Sequence, residues 1–464
     1  MSKGAMIDPF RLRLPLRHLV AVWMLSLLGG SAVAAEKPNI VILLCDDLGH
    51  GDLSCFAHPK ILTPHLDKLA AEGVKLTHCY SSAPVCSPSR AGLMTGRVPN
   101  RLGIRDWIPA DSGIFLRPGE VTIAQRLKEA GYRTCHAGKW HLNSKTDGSE
   151  RTPGEAGFDH WLYTQNNASP NHLNPTNFVR NGKPAGKLEG PSSHLVVAEA
   201  IQFLEANAGK PFFLNLWFHE PHEPVAAAEE FLKLYPKEDN LDRQHYYGDI
   251  SQVDAAVGKL LKHLDDHDLR ENTFVFFSSD NGPETLNRYK GANRSYGSPG
   301  PLRGMKLHVT EAGYRVPGIV RWPGHARAGT VATEPVCHVD LLPTLCAIAG
   351  AKLPDCKLDG ADITPLFAGK PVQRPHALYW QYDFAISRPW VVSLRDGQWK
   401  LLADAELDKF ELYNLADDVG ESKNLAELNV ERVRRMAADM KRLHEEIQVE
   451  GAKSGNPPPR QLKK

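Results

Sequence analysis

Hydrophobic positions along the chain fall into two alternating patterns. PNIVILLCDDLG opens the mature chain with a continuous apolar run, Ile40 to Leu44, as expected of a strand buried on both faces of a parallel sheet. Thr63 to Gly73 has helical spacing, with Thr63 as N-cap, Pro64 in the first turn and Gly73 as the stop. A second helix is predicted from Val121 to Ala130, closed by Gly131, and the strand YRTCHAG follows. The alternation then repeats: helix Val196–Asn207, strand PFFLNLWF, helix Ile250–Asp265, strand TFVFFSSDNG. Strand–helix alternation of this kind predicts an α/β domain, a large mostly parallel or mixed sheet flanked by helices.

Two stretches break the rhythm. Gly148 to Gly190 is rich in Gly, Pro and Asn with little periodicity, and reads as a long loop excursion. Beyond about residue 370, ALYWQY, WVVSLRDGQWKLLA and KFELYNL read as short antiparallel strands, with Asp396-Gly397 as a hairpin turn. A charged amphipathic helix is predicted over about Val430 to Val449. The expected organisation is a signal peptide at 1–35, a large α/β domain at 36–370, a C-terminal antiparallel-sheet subdomain with a helix at 371–450, and a disordered tail at 451–464.

Composition sharpens this picture in three respects. The chain has 464 residues, enough for one large domain plus a smaller one. Its formal net charge of +1 gives no electrostatic case for nucleic acid. Arg11, Arg13 and Arg17 precede the apolar run LVAVWMLSLLGG and the small residues SAVAA, the order expected of a cleaved secretory leader. Export to the periplasm or exterior, without stable membrane insertion after cleavage, is the expectation. Export permits disulfides, but the eight cysteines show no CxxC pair and no zinc-like spacing. Cys45 and Cys135 lie in strand-like runs and read as core thiols; a Cys346–Cys356 bridge is not legible from spacing.

The candidate chemistry sits at predicted strand ends. Asp46 and Asp47 end the first strand; Asp280 and Asn281 end TFVFFSS. Ligands of open α/β sheets bind beyond the carboxyl ends of the strands. Three carboxylates and an amide oxygen converging there would suit a hard cation, Ca²⁺ or Mg²⁺. Either pair alone could equally cap a helix; the two together favour the metal. Cys86 precedes a helix-like run in which Pro88 fits the first turn, and the free N–H groups there, with Arg90, would favour an anion and lower a thiol pKa. A core or disulfide cysteine is the alternative. AGKWHLN adds Lys139 and His141, which would share one face of an extended segment. FHEPHEP adds His219 and His222, and PLRGMKLHV adds Lys306 and His308.

These stretches resemble a known family. CSPSRAGLMTGR is similar to the sulfatase signature that directs conversion of its cysteine to formylglycine (3-oxoalanine). CDDLG, GKWHL, HEP, SSDNG and LRGMK…EAGYRVP accompany it in the family's order. The resemblance, to type I sulfatases of the alkaline phosphatase superfamily, covers roughly residues 37 to 425. It implies a divalent ion, usually Ca²⁺ with Mg²⁺ the alternative, held by Asp46, Asp47, Asp280 and Asn281 and touched by modified Cys86. It implies that Arg90 stabilises the formylglycine hydrate, that Lys139 and Lys306 hold sulfate oxygens, and that His141 pairs with the hydrate hydroxyl. His222, preceding Pro224 in HEP, matches the second histidine; His219 is the competing assignment. A further sulfate contact is unmatched, with Asn167 and His172 as guesses. A formylglycine-generating enzyme is the implied maturation partner, and a sulfated saccharide or aryl sulfate the implied substrate. The segment from Phe158 is similar to N-acetylgalactosamine-6-sulfatases. The alternatives are a formylglycine-dependent phosphonate or phosphate hydrolase on the same scaffold, and a non-catalytic binder of sulfated glycans.

Overall fold

The computed structural model describes residues 37–458; the expected signal peptide lies outside them. Fifteen strands form two sheets. The first contains β1 (Asn39–Cys45), β2 (Val74–Tyr80), β3 (Arg133–Lys139), β4 (His160–Thr164), β5 (Val179–Arg180), β6 (Lys183–Pro184), β7 (Phe212–Trp217), β8 (Thr273–Ser279), β9 (Arg315–Arg321), β10 (Thr330–Ala332) and β11 (Val336–Cys337). The helices are α1 (Pro64–Ala71), α2 (Cys86–Thr95), α3 (Ile123–Glu129), α4 (Ser192–Ala206), α5 (Glu229–Leu232), α6 (Leu241–Asp266), α7 (Glu311–Tyr314), α8 (Leu341–Ala349), α9 (Thr364–Phe367) and α10 (Val430–Gly451).

The large sheet runs β10-β2-β9-β8-β1-β7-β3-β4-β5-β6, with β11 also paired to β2. The strands β8, β1, β7, β3 and β4 are mutually parallel. β9 runs antiparallel to both its neighbours, β8 and β2. Every residue of β1 is buried, and its side chains divide by parity. Ile40, Ile42 and Leu44 pack into the layer holding α2, α3 and α8. Val41, Leu43 and Cys45 pack into the layer holding α1, α4 and α6. The continuous apolar run in the sequence is thus two period-2 faces, each covered by helices.

The second sheet is antiparallel: β12 (Leu378–Gln381), β13 (Val392–Asp396), β14 (Trp399–Ala403) and β15 (Phe410–Asn414), in that order. Asp396 pairs with Trp399, so the hairpin loop is Gly397-Gln398, one residue later than expected; Gly397 has φ +57°, a conformation glycine accepts without a Cβ clash. α10 covers this sheet with Met436, Met440, Leu443 and Ile447.

Local expectations fare unevenly. Thr63 stands at the N-cap of α1 but makes no capping bond; its hydroxyl donates to Asp67 instead. α3 has a capping box built by Thr122 and Gln125, which starts it at Ile123 rather than Val121. α6 begins at Leu241, nine residues before the predicted Ile250, because Asn240 caps it through the Arg243 N–H. The loop predicted from Gly148 to Gly190 contains β4, which extends the parallel sheet, and the short hairpin β5–β6. The tail predicted as disordered from 451 is anchored in its first part. Asn456 donates to the carbonyls of Leu102 and Phe115 and accepts from the Phe115 N–H. All eight cysteines are free, Cys346 and Cys356 included. No described helix is long and apolar enough to cross a membrane.

Candidate active site

β1 and β8 lie side by side, with Cys45 opposite Ser279. The residues following each strand therefore emerge together at the carboxyl edge. The Asp280 N–H donates to the Cys45 carbonyl at 3.0 Å, and the Asp47 N–H to Asp280 Oδ1 at 3.2 Å. Asp46, Asp47, Asp280 and Asn281 are all buried. The two predicted pairs converge.

Cations from three other chain segments face these carboxylates. Lys139 Nζ, at the end of β3, lies 2.5 Å from Asp46 Oδ2. Lys306 Nζ lies 2.7 Å from Asp47 Oδ2. Arg90, on α2, donates to Asp280 Oδ2 through Nη2 at 2.6 Å and Nε at 2.9 Å, and to the Lys139 carbonyl through Nη1. Burial opposes ionisation of Asp46, but Lys139, His222 and Arg90 hold its carboxyl well below the usual range. Burial and the neighbouring Asp46 instead push Asp280 up to about 7. That crowding of like charge is relieved by additional positive charge. Asn281 donates from Nδ2 to Asp47 Oδ1 at 2.7 Å, while its Oδ1 is buried without a hydrogen-bond partner among the described residues. An orphaned amide oxygen beside three carboxylates is a donor set that fits a hard divalent cation.

Cys86 is the first residue of α2, and its thiol donates to Asp46 Oδ1 at 3.6 Å. The helix start and Arg90 suggested a lowered thiol pKa; burial dominates and pushes it up, against the pull of Lys139 and Lys306. His141 and His222 line the same pocket as Cys86. His141 Nε2 lies 3.1 Å from the Ile108 carbonyl, which can only accept, so Nε2 carries the hydrogen and Nδ1 the lone pair. Nδ1 is buried without a partner among the described residues. Burial, then Lys139 and Arg90, hold His141 neutral. The extended geometry expected across Lys139 and His141 is absent: His141 has φ +54°, and the turn there brings its ring into the pocket. Asp47 (φ +65°) and Leu307 (φ +67°), beside Lys306, share this sparsely populated left-handed region, so backbone strain concentrates around the site.

The geometry separates the two HEP histidines. His222 Nδ1 donates to the Glu223 carbonyl, and its Nε2 lies 3.6 Å from Asp47 Oδ2. His219 is directed away, with Nε2 2.7 Å from Thr164 Oγ1. Asn167 lines the pocket and its Oδ1 accepts from Lys139 Nζ at 3.4 Å. His172 is not a pocket residue; fully buried, it pairs with Asp249 at 2.9 Å in a cluster with Glu220. The pocket, about 390 Å³, also takes Asp106, Trp107, Asn166, Arg288, Tyr289, Tyr382 and Phe384, none of which the sequence singled out. They come from irregular segments, and two come from the C-terminal subdomain, so no periodicity marks them.

A mostly parallel α/β sheet with an acidic, cation-faced cluster at its carboxyl edge suits a hydrolase of anionic esters. Residues 38–351 match the Sulfatase family and residues 305–450 match N-sulphoglucosamine sulphohydrolase, C-terminal; the chain belongs to the sulfatase family and is a sulfuric ester hydrolase. It is 34% identical to human arylsulfatase A over 87% of this chain and 86% of that protein. It is 34% identical to human N-acetylgalactosamine-6-sulfatase over 75% of this chain and 70% of that protein. The crystal structure of Ps i-CgsB in complex with k-i-k-neocarrahexaose superposes with a TM-score of 0.79 at 30% identity, covering 92% of this chain and 95% of that one.

Proposed function

We propose that this enzyme removes sulfate from a sulfated carbohydrate or aryl sulfate, with Cys86 converted to formylglycine and a divalent cation, Ca²⁺, held by Asp46, Asp47, Asp280 and Asn281. The observation that carries this reading is the placement of Cys86: it opens α2 on the pocket wall, with the carboxylates and Asn281 behind it and His141, His222 and Lys306 around it. A thiol in that position, raised by burial, is a poor nucleophile; a hydrated aldehyde there would offer two hydroxyls on one carbon. The bound cation would supply positive charge beside the attacking oxygen.

The remaining work falls to side chains. Lys139 Nζ and Lys306 Nζ, paired with the Asp46 and Asp47 carboxylates, would hold sulfate oxygens against developing charge. His141 Nδ1, unprotonated because Nε2–H is committed to Ile108, would take the proton of the residue-86 hydroxyl that does not carry sulfate, so that the carbonyl re-forms and sulfate is expelled. His222 Nδ1–H is likewise committed to the Glu223 carbonyl. Protonation of the departing alcohol oxygen is therefore assigned to Lys306 Nζ, with His222 holding position beside it. Arg90, fixed by Asp280 and by the Lys139 carbonyl, braces the cluster and would stabilise the hydrate at residue 86. Export through the leader, and maturation by a formylglycine-generating enzyme, belong to the same proposal.

The test is the mass of the Cys86 peptide from protein purified from its native host. An aldehyde in place of the thiol is expected; complete retention of thiol rejects the mechanism. Cys86→Ser is expected to abolish turnover of 4-nitrophenyl sulfate with an unchanged melting temperature, and undiminished activity would reject Cys86 as the precursor. 4-Nitrophenyl phosphate is expected to turn over far more slowly than the matched sulfate.

A further inference from the structure

Beyond the sulfate-holding end, the pocket has a wall whose chemistry is one-sided. Asp106 accepts two hydrogen bonds, from the Trp107 N–H at 2.8 Å and the Tyr382 hydroxyl at 2.9 Å, and both fall on Oδ1. Its Oδ2 takes no hydrogen bond from the described residues. Asn166 Oδ1, in the same lining, is buried and equally without a donor among them. Two acceptors in this lining therefore receive no hydrogen from the described residues: Asn166 Oδ1 is buried, where acceptors are ordinarily satisfied, and Asp106 is half-buried. The cation on this wall is already committed: Arg288 holds Glu284 through both Nε and Nη2. Trp107 and Tyr289 are among the most exposed large aromatic side chains, at 42% and 39%, and both line this pocket. Exposed rings at a cavity mouth suit the apolar face of a pyranose, and unsatisfied acceptors suit its hydroxyl or amide hydrogens.

We propose that Asp106 and Asn166 read the hydroxyl or amide hydrogens of an otherwise uncharged sulfated sugar, seated on Trp107 and Tyr289, and that the Asp106 carboxylate discriminates against leaving groups carrying a second anion such as a uronate. This assignment rests on the sulfate-ester reading above. A site that recognises donors rejects analogues lacking them, because an enclosed acceptor such as Asn166 Oδ1 is then left unpaired; a carboxylate opposite a substrate carboxylate adds like-charge repulsion.

The experiment measures kcat/KM of the formylglycine-bearing full chain on three substrates: 4-nitrophenyl sulfate, N-acetylgalactosamine 6-sulfate and a 2-sulfated uronic acid. The wild type is expected to favour the neutral sugar sulfate over the uronate by at least tenfold. Asp106→Asn, which preserves shape and removes the charge, is expected to narrow that preference by about tenfold. Asn166→Ala is expected to lose about ten times more activity on the neutral sugar than on the aryl sulfate. A wild type that turns over the uronate as well as the neutral sugar overturns the proposal. So do variants that lose activity equally on all three substrates, since that pattern reports a purely structural role. Failure to hydrolyse any sulfate ester would reject the underlying sulfatase mechanism, and this assignment with it, whereas turnover of the aryl ester without sugar selectivity rejects this assignment alone.

Discussion

At the scale of single residues, the site is a charge balance closed by three basic side chains and one unpaired oxygen. Asn281 is the informative member, because its amide hydrogens serve Asp47 and Gly282 while Oδ1 serves nothing among the described residues. Chelation by EGTA is expected to abolish hydrolysis of 4-nitrophenyl sulfate, and added Ca²⁺ to restore it. Asn281→Leu, which removes that oxygen at similar size, is expected to raise the Ca²⁺ concentration for half-maximal activity by at least about tenfold, as read from a calcium titration. The sequence marked Asp46, Asp47, Asp280 and Asn281 because hard oxygen donors recur at strand ends. It ranked His222 ahead of His219 only through the family resemblance, since both lie within one short turn. The geometry gives that order a physical basis in where each ring nitrogen ends: Thr164 for His219, Asp47 for His222.

At the scale of elements, the site depends on close backbone approaches and on buried pairs that tie segments together. Gly138 in β3 has φ +109°, and a Cβ there would lie 1.8 Å from the Trp217 carbonyl oxygen of β7. Gly138→Ala must spread the two strands that carry Lys139 and the HEP turn. A loss of about 2–4 kcal/mol in denaturant unfolding is expected, with turnover falling alongside. Asp359 accepts from the Val98 N–H and from Arg101 Nε and Nη2, locking the segment after α2 to the loop following α8. Although burial opposes it, the bonds from His376 and Arg101 lower Asp359 from 3.8 to about 2. Because the folded value lies below the unfolded one, this stabilisation is complete above about pH 4 and is lost as pH falls through 2. Asp359→Asn is expected to lower stability at pH 7 by about 2 kcal/mol and to flatten the acid limb of a melting-temperature profile. Central elements were legible because their apolar runs are long. β4 was not, since its five residues mix His, Trp, Leu, Tyr and Thr at a partly exposed position.

At the scale of the whole molecule, the small C-terminal sheet completes the catalytic domain. Lys400 of β14 is buried between Glu311 Oε1 at 3.0 Å and Glu421 Oε1 at 2.8 Å, and the Glu311 N–H donates to Glu421 Oε2. Glu311 opens α7, directly after the segment that carries Lys306. Lys400→Met leaves Glu421 buried without its cation, while Glu311 keeps Arg315 at 3.2 Å; a loss of about 3–5 kcal/mol is expected in denaturant unfolding, together with reduced turnover. The same subdomain places Tyr382 and Phe384 in the pocket. Strand periodicity, the cysteine signature and the acidic strand ends were set by the sequence alone, because each is a local pattern of side-chain type and spacing. Tertiary structure decided the rest: that β1 neighbours β8, that His222 rather than His219 enters the site, that burial raises the Cys86 thiol, and that residues near 106, 166, 288 and 384 share one wall. The physical reason is that these properties depend on which distant segments become neighbours in the sheet and what each neighbour's charge does at close range, and neither is recorded in local periodicity.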